Sequence, residues 1–169
     1  MQENGHLKMV AKICQKEGVP VELVFLALVE SGWQSSVASA AGAKGYWQFT
    51  ESTAIHRGLK VNPEGGIDQR TNARLSTKAA IRYLKFLYKK TYKWEGREVE
   101  ESCDYDDSAR WIFALWAYNR GPKHVGIAYQ RFDGNVSEYV ANLPERLAGH
   151  ADYPNRFFGM MAALMETGI

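Results

Sequence analysis

Apolar side chains recur every three or four residues over most of this chain, which is the spacing of amphipathic helices. The first such stretch covers residues 7–14 and is followed by Gly18, a typical helix stop. A second helix is predicted over 20–31, and we expect it to be central and buried because its middle is apolar on every side. Two longer amphipathic helices are predicted within 76–92 and 106–122.

The remaining segments are shorter or irregular. Residues 32–45 are rich in glycine, alanine and serine and are predicted to form a long loop, and a short helix is predicted from Thr50 to Arg57. Further helices are predicted over Lys123–Gln130, Val136–Asn142 and Asn155–Met165. Because no segment shows a clean strand alternation, the pattern predicts a mainly α fold.

A chain of 169 residues with 46% hydrophobic residues can bury a core of ordinary size, and no linker or internal repeat divides it. We therefore expect 1–169 to form a single domain. Its longest wholly apolar run, Leu23–Val29, is seven residues long, whereas a membrane-spanning helix needs about 20, so no membrane span is predicted. The start of the chain lacks the apolar stretch of a secretory signal, which leaves two alternatives: a cytosolic protein, or the mature part or a fragment of a longer exported protein.

The charge of the chain is unevenly placed. Its 21 lysines and arginines nearly balance 19 acidic residues, and a net charge of +2 predicts no nucleic-acid partner. Between Glu98 and Asp107, however, there are six acidic residues and no lysine or arginine, which leaves 21 basic against 13 acidic residues elsewhere, a charge of +8. The net charge of +2 is therefore the sum of a basic chain and one acidic segment.

The cysteines and histidines do not indicate a metal site, and they leave the question of a disulfide open. Cys14 and Cys103 could close one long-range disulfide in an oxidising compartment or remain two buried thiols, and the sequence leaves both open. The four histidines show no metal-ligand spacing with these cysteines, so we predict no metal. The sequence has no glycine-rich phosphate-binding loop, and no cofactor is predicted.

Glu30 is the most informative single residue. It ends the most hydrophobic predicted helix, where Leu23, Leu26 and Ala27 share its face. Apolar neighbours and the negative end of the helix dipole both disfavour the anion, so we hypothesise that the pKa of Glu30 is raised, as a general acid near neutral pH requires. The alternative is that the helix frays at Glu30 and the side chain reaches water.

A longer motif follows from Glu30. Residues 30–54 contain Glu-Ser, an aromatic residue, a serine, a Gly-Ala-x-Gly turn, and a glutamine followed by Thr-Ala. This run resembles the lytic transglycosylases of the soluble and membrane-bound D types, which are relatives of goose-type lysozyme. Ala117–Gly121 is similar to the Ala-Tyr-Asn-x-Gly signature of that family, and Tyr153 falls where the family has a tyrosine before its last helix. The resemblance spans most of the chain, from about residue 10 to residue 164.

The resemblance implies a lysozyme-like fold and an enzyme that cleaves the β-1,4 bond between N-acetylmuramic acid and N-acetylglucosamine. Glu30 would be the sole catalytic carboxylate, first as acid and then as base, and the product would carry a 1,6-anhydro-muramoyl end. The residues implied for the sugar site are Ser39, Gln48, Tyr118, Asn119 and Tyr153. The implied partner is the glycan strand of peptidoglycan, bound by a monomer that is exported to the periplasm or cell envelope, or secreted.

Four aromatic residues surround the motif: Trp33, Tyr46, Trp47 and Phe49. Aromatic faces stack on pyranose rings, although most of such a cluster is usually core. We expect one or two of the four to contact sugar and take Trp47 as the candidate. The aromatic residues within 111–116 are expected to pack in the core instead.

The acidic segment is the largest departure from the family, whose D-type members have a shorter connection at this place. It is either a solvated loop whose last residues cap the next helix, or a selector for cationic, deacetylated peptidoglycan with Asp104, Asp106 and Asp107 as its carboxylates. Two rival functions also stay open. One is a lysozyme-type hydrolase acting on the same bond, and the other is a non-catalytic wall-binding module.

Overall fold

The structure, a computed structural model, describes residues 2–62, 64–97, 105, 107–143 and 152–159. Its elements, in chain order, are α1 (Gln2–Glu17), a 3-10 turn (Val21–Leu23), α2 (Val24–Ser31), α3 (Glu51–His56), β1 (Val61–Asn62), β2 (Ile67–Asp68), a second 3-10 turn (Gln69–Thr71), α4 (Ala73–Trp94), α5 (Ser108–Arg120), α6 (Pro122–Arg131) and α7 (Val136–Ala141). Residues 152–159 are also helical. The predicted mainly α fold is confirmed.

The chain divides into two compact units, Met1–Tyr83 and Leu84–Ile169, with the boundary inside α4. In the first unit, α1 ends at Gly18, which has the left-handed φ of 66° that glycine accepts without strain. Pro20 is extended and offers no side-chain cap, so the next helix begins with the tight turn Val21–Leu23 before α2. The two predicted helices are therefore present, but the second starts later than predicted.

The first unit also contains an element that the sequence analysis missed. Strands β1 and β2 form a two-stranded antiparallel hairpin, in which Val61 pairs with Asp68 and Asn62 with Ile67. Strands of two residues are too short to show an alternation of apolar and polar positions, so no strand was predicted here.

Buried apolar side chains of α1 and α2 form part of the core of the first unit. Val10, Leu26 and Ala27 are fully buried. Cys14 is a buried free thiol, and burial, with the nearby charge of Glu22, raises its pKa to about 12. Cys103 lies outside the described residues.

Helix α5 contributes a buried segment to the core of the second unit. Its segment 113–117 is almost completely buried, and the rings of Phe113 and Trp116 contact Tyr139 of α7. The predicted packing role of the aromatic residues in this helix is confirmed. None of the helices within the described ranges is long and apolar enough to cross a membrane.

An ionic cluster joins the end of α4 to α5 and α6 in the second unit. Arg110 donates to Glu95 Oε2 at 2.8 Å and to Thr91 Oγ1 at 3.0 Å, and Tyr129 donates to the other oxygen of Glu95. Burial alone would raise the pKa of Glu95, but the hydrogen bonds from Arg110 and Tyr129 outweigh it and lower that pKa. The cluster thus satisfies a guanidinium that is almost wholly buried.

Candidate active site

Glu30 is the penultimate residue of α2 and is half-buried. The helix ends at the next residue, Ser31, because Gly32 takes the left-handed conformation, with φ of 59°, and the N–H of Gly32 donates to Leu28 O at 2.9 Å. The carboxyl group is therefore presented at the negative end of a short helix whose Leu26 and Ala27 are buried. The raised pKa of Glu30 stays a prediction.

Ser31 attaches this helix end to the loop that follows. Its Oγ lies 2.8 Å from Tyr46 O and 3.2 Å from Ala27 O, and it accepts a hydrogen bond from Gln34 N at 3.3 Å. One buried hydroxyl thus connects the last turn of α2 to a residue fifteen positions further along the chain. This contact fixes the backbone next to Glu30 against residues 32–50, here named the motif loop.

Gln48 stabilises the motif loop through hydrogen bonds of its side-chain amide to two loop carbonyls. Its Nε2 donates to Val37 O at 3.0 Å and to Gly45 O at 2.9 Å, and its own backbone has a left-handed φ of 47°. A side-chain amide that bonds two loop carbonyls replaces the hydrogen bonds that regular secondary structure would supply. Both amide hydrogens are thus engaged, and no residue that the structure describes forms a hydrogen bond with Oε1.

Ser39 lies at the exposed tip of the motif loop. Its N–H donates to Ala43 O at 2.9 Å, and its Oγ accepts from Ala43 N at 3.1 Å. The side chain is exposed, and its hydroxyl hydrogen has no acceptor among the described parts of the chain, so it can act as a donor.

Arg70 anchors the motif loop from the 3-10 turn after the hairpin, and the sequence analysis did not identify it. Its guanidinium forms a bidentate salt bridge with Asp68, in which Nε donates to Oδ1 at 2.9 Å and Nη2 donates to Oδ2 at 2.8 Å. Its Nη1 donates to Gly42 O at 3.1 Å. The hydrogen bonds from Arg70 lower the pKa of Asp68 to about 2. More than twenty residues separate Arg70 from Gly42, so no local pattern could have predicted the contact.

Gly45 is another point where the motif loop approaches this anchor closely. It has a left-handed φ of 80°, and a Cβ at this position would lie 2.2 Å from Arg70 O. Glycine is therefore required here for two reasons, its backbone conformation and the close approach of another backbone.

The aromatic residues of the motif loop form a packed cluster. Trp33 lies parallel to His6 with ring centroids 5.6 Å apart, and it also contacts Tyr46 and, edge-on, Trp47. Trp47, our candidate sugar contact, is fully buried and donates from Nε1 to Thr77 Oγ1 at 3.0 Å, so the structure does not support that contact. Tyr46 is half-buried and is the member of the Tyr46-Trp47 pair with accessible surface.

The other predicted sugar-site residues lie in the second unit. Tyr118, half-buried, and Asn119, exposed, belong to the last turn of α5, which ends at Gly121 with a positive φ of 86°. Tyr153 is buried within the helical residues 152–159. The roles of these three residues at the sugar site stay predictions.

Of the three candidate carboxylates of the acidic segment, Asp104 and Asp106 lie outside the described residues. Asp107 is the N-cap of α5, where its Oδ1 accepts from Arg110 N at 3.2 Å and its Oδ2 pairs with Arg110 Nε at 3.1 Å. Within the described ranges, no three His, Cys, Asp or Glu side chains come together in a way that could hold a metal ion.

Comparison with known proteins places these features in a family. The profile of the Transglycosylase SLT domain family matches residues 8–139. The membrane-bound lytic murein transglycosylase D of Escherichia coli K12 is 30% identical over 125 residues, which cover 74% of this chain and 24% of that protein. A putative tributyltin chloride resistance protein of Alteromonas sp. is 29% identical over 85 residues, 50% of this chain and 40% of that protein. The chain thus spans less than half the length of these relatives.

The fold is also found among solved structures. The 70 kDa soluble lytic transglycosylase SLT70 of Escherichia coli superposes with a TM-score of 0.66 over 94% of this chain and 24% of that one, at 18% identity. The predicted lysozyme-like fold is therefore confirmed.

Proposed function

We propose that this chain, which belongs to the Transglycosylase SLT domain family, is a peptidoglycan-cleaving enzyme whose catalytic carboxyl group is Glu30. The observation that carries the proposal is the placement of Glu30 at the capped end of α2, half-buried and attached through Ser31 to a loop that exposes polar groups. A carboxyl group in such a place can remain protonated near neutral pH and can return to that state after each turnover.

The proposed reaction is a transglycosylation within the substrate. Glu30 protonates the oxygen that leaves C1 of N-acetylmuramic acid, and the acetamido group of the same sugar stabilises the positive charge that develops at C1. The resulting Glu30 carboxylate then takes the proton of the C6 hydroxyl, whose oxygen bonds to C1. The bond cleaved is the β-1,4 link to N-acetylglucosamine, the bond formed is the 1,6-anhydro bridge, and no water is consumed.

The motif loop supplies the polar groups that hold the sugar in this proposal. Ser39 offers a hydroxyl donor at the exposed loop tip, and Gln48 offers Oε1 as an acceptor because its amide nitrogen is bound to the loop itself. Tyr118, Asn119 and Tyr153 are proposed to complete the sugar site. Trp47 is not a sugar contact in this proposal, because its buried indole binds Thr77 and stabilises the motif loop.

An enzyme acting on this substrate works outside the cytoplasm, and we propose that location for the protein. The proposed preference for deacetylated peptidoglycan rests on the acidic segment. It predicts that, at low salt, sacculi deacetylated at glucosamine, which keep the muramoyl acetamido group that the reaction uses, are digested faster than fully acetylated sacculi. Added salt should remove the difference.

A substitution at Glu30 tests the catalytic assignment. Glu30→Gln keeps the shape of the side chain but removes the transferable proton, and we expect dye release from labelled sacculi to fall about 1,000-fold. Glu64→Gln makes the same chemical change at an exposed glutamate in the hairpin turn and should leave activity unchanged. Full activity of the Glu30→Gln protein would contradict the catalytic assignment.

A further inference from the structure

A groove lined by positive charge runs between α1 and the first half of α4 in the first unit and encloses about 480 Å3. Its cationic side chains are Lys8, Lys12 and Lys16 from α1, and Arg74, Lys78 and Arg82 from α4. We name it the basic groove. None of these residues takes part in the proposed reaction.

The cations of the basic groove form two regular rows. On each helix they recur every four residues, which places successive charges about 6 Å apart along one face. Five of the six side chains are exposed, and only Lys78 is half-buried. A ligand in the groove would therefore meet a row of positive charges on each side.

The positive charge of the basic groove is largely uncompensated. Arg82 Nε pairs with Glu17 Oε1 at 3.0 Å. Among the residues that the structure describes, no carboxylate lies within ion-pair distance of the other five cations. Because neighbouring like charges on a helix repel, an external anion that entered the groove would be attracted by both rows.

The other lining residues narrow the class of anion. Met9 and Ile13 add apolar surface between the charges, and Glu17 places one carboxylate among the cations. Apolar surface suits a ligand with methyl and methylene groups, and Glu17 would repel a uniform chain of phosphates but can accept a hydrogen bond from an amino group. This combination fits an acidic peptide that also carries an amino group.

We infer that the basic groove binds the acidic stem peptides of peptidoglycan and forms a second contact with the cell wall, apart from the site at Glu30. The choice of ligand rests on the proposed function, because the stem peptides are attached to the glycan strand on which that function acts. Their carboxylates supply negative charges for the two rows, and the amino group of their diamino acid can donate to Glu17. The groove then retains the protein on the wall between cleavage events.

The test is cosedimentation with purified sacculi, with the Glu30→Gln substitution in every protein so that the sacculi stay intact. The groove variant K8Q/K12Q/K78Q removes three positive charges, and the control variant K60Q/K93Q/K123Q removes three from exposed lysines elsewhere. At low salt we expect the groove variant to bind about tenfold more weakly and the control to bind within about twofold of the parent. The charge-conserving K8R/K12R/K78R protein should bind like the parent if positive charge is what the groove requires. Matching circular dichroism spectra and melting curves of the groove variant and the parent check that α1 and α4 stay folded.

The ligand is tested by changing the sacculi and not the protein. Conversion of the stem-peptide carboxylates to amides leaves the glycan unchanged, and it should weaken binding of the parent to the level of the groove variant. Equal binding to native and amidated sacculi would overturn the inference, and so would equal weakening in the groove and control variants. Tighter groove-dependent binding to phosphatidylglycerol vesicles or to DNA would replace the peptide with another anion and would also overturn it.

A second measurement separates this inference from the proposed function. A fluorescently labelled stem peptide without glycan contains no glycosidic bond, so its anisotropy titration is independent of any catalytic role of Glu30. We expect saturable binding that the groove variant loses and the control variant keeps. Absence of binding to the parent would overturn the inference even if the enzyme cleaves peptidoglycan.

Discussion

The motif loop of the first unit and helix α5 of the second unit hold their side chains by opposite means. The loop depends on polar contacts, namely the amide of Gln48, the hydroxyl of Ser31 and the guanidinium of Arg70, each bound to loop carbonyls. Helix α5 depends on the burial of its apolar residues 113–117. In the loop, each hydrogen bond fixes a particular backbone group, so the loss of one contact changes the position of the loop. In α5, many apolar contacts each contribute a part of the stability. Substitutions in the loop should therefore act mainly on activity, and substitutions in α5 mainly on stability.

The largest effect on stability is expected in α5. Trp116 is about 1% exposed and packs against Phe113 and Tyr139 with ring centroids 5.4 and 4.6 Å apart. Trp116→Ala removes this ring from the core and should lower the free energy of unfolding by about 4 kcal/mol, measured by urea denaturation. Trp116→Phe keeps an aromatic ring and should cost about 1 kcal/mol. A loss below about 1 kcal/mol for Trp116→Ala would contradict the packing role of α5.

The next effect is expected at the ionic anchor of the motif loop. Asp68→Asn leaves the guanidinium of Arg70 buried without its counter-charge, and we expect a loss of about 3 kcal/mol in unfolding free energy. Because Arg70 also binds Gly42 and Phe49, activity on sacculi should fall under conditions where the protein is still folded. Glu64→Gln is the control for loss of one exposed negative charge in the same hairpin.

The same anchor predicts a dependence of stability on pH. The pKa of Asp68 falls from its ordinary 3.8 to about 2 in the folded chain, so the pair with Arg70 stabilises the fold fully above pH 4 and is lost as the pH falls toward 2. The difference in unfolding free energy between the parent and Asp68→Asn should therefore be constant above pH 4 and shrink below it. A difference that stayed constant down to pH 2 would contradict the lowered pKa.

A smaller effect on stability, coupled to a clear effect on activity, is expected at Gly45. Its left-handed backbone and the proximity of Arg70 O leave no space for a Cβ, so Gly45→Ala should destabilise the protein by about 2 kcal/mol. The loop must shift to relieve the clash, and Gln48, which binds Gly45 O, shifts with it. We expect the turnover of sacculi to fall at least tenfold in a protein that still melts cooperatively. Gly58→Ala, at a left-handed position with open space around it, is the control for backbone strain alone.

The smallest effect is expected for the hydrogen bond of Trp47. Trp47→Phe keeps a buried ring but removes the donor to Thr77, which should cost about 1 kcal/mol. If Trp47 only supports the loop, the KM for soluble glycan chains should stay within about twofold of the parent. A large rise in KM without loss of stability would restore the sugar contact that the sequence analysis predicted.

The helices could be predicted from the sequence, because they have an apolar face and a recognisable end such as Gly18 or the Asp107 cap. The loop motif also identified Glu30 as the catalytic candidate. The anchor formed by Asp68 and Arg70 could not be predicted, since its contacts to Gly42 and Phe49 join segments without a shared pattern. Trp47 shows the same limit, because an aromatic residue in a motif can face a ligand or the core, and only the contact to Thr77 distinguishes the two.

The basic groove could be predicted from the sequence only in part. The sequence showed a basic chain with one acidic segment, but it did not show that six of the cations line one groove. Lysines that recur every four residues on a surface helix are usually a solvated face. The structure identifies a candidate binding site because the cationic side chains of α1 and α4 line the same groove.

Mass spectrometry of the muropeptides released from acetylated sacculi tests the central claim most directly. If Glu30 acts first as acid and then as base, the products carry 1,6-anhydro-muramoyl ends and are lighter by one water than the corresponding hydrolysis products. Glu30→Gln should release these products about 1,000-fold more slowly than the parent. Products with reducing muramoyl ends would contradict transglycosylation and identify a hydrolase. Release of anhydro products by the Glu30→Gln protein at the parent rate would contradict the role of Glu30 itself.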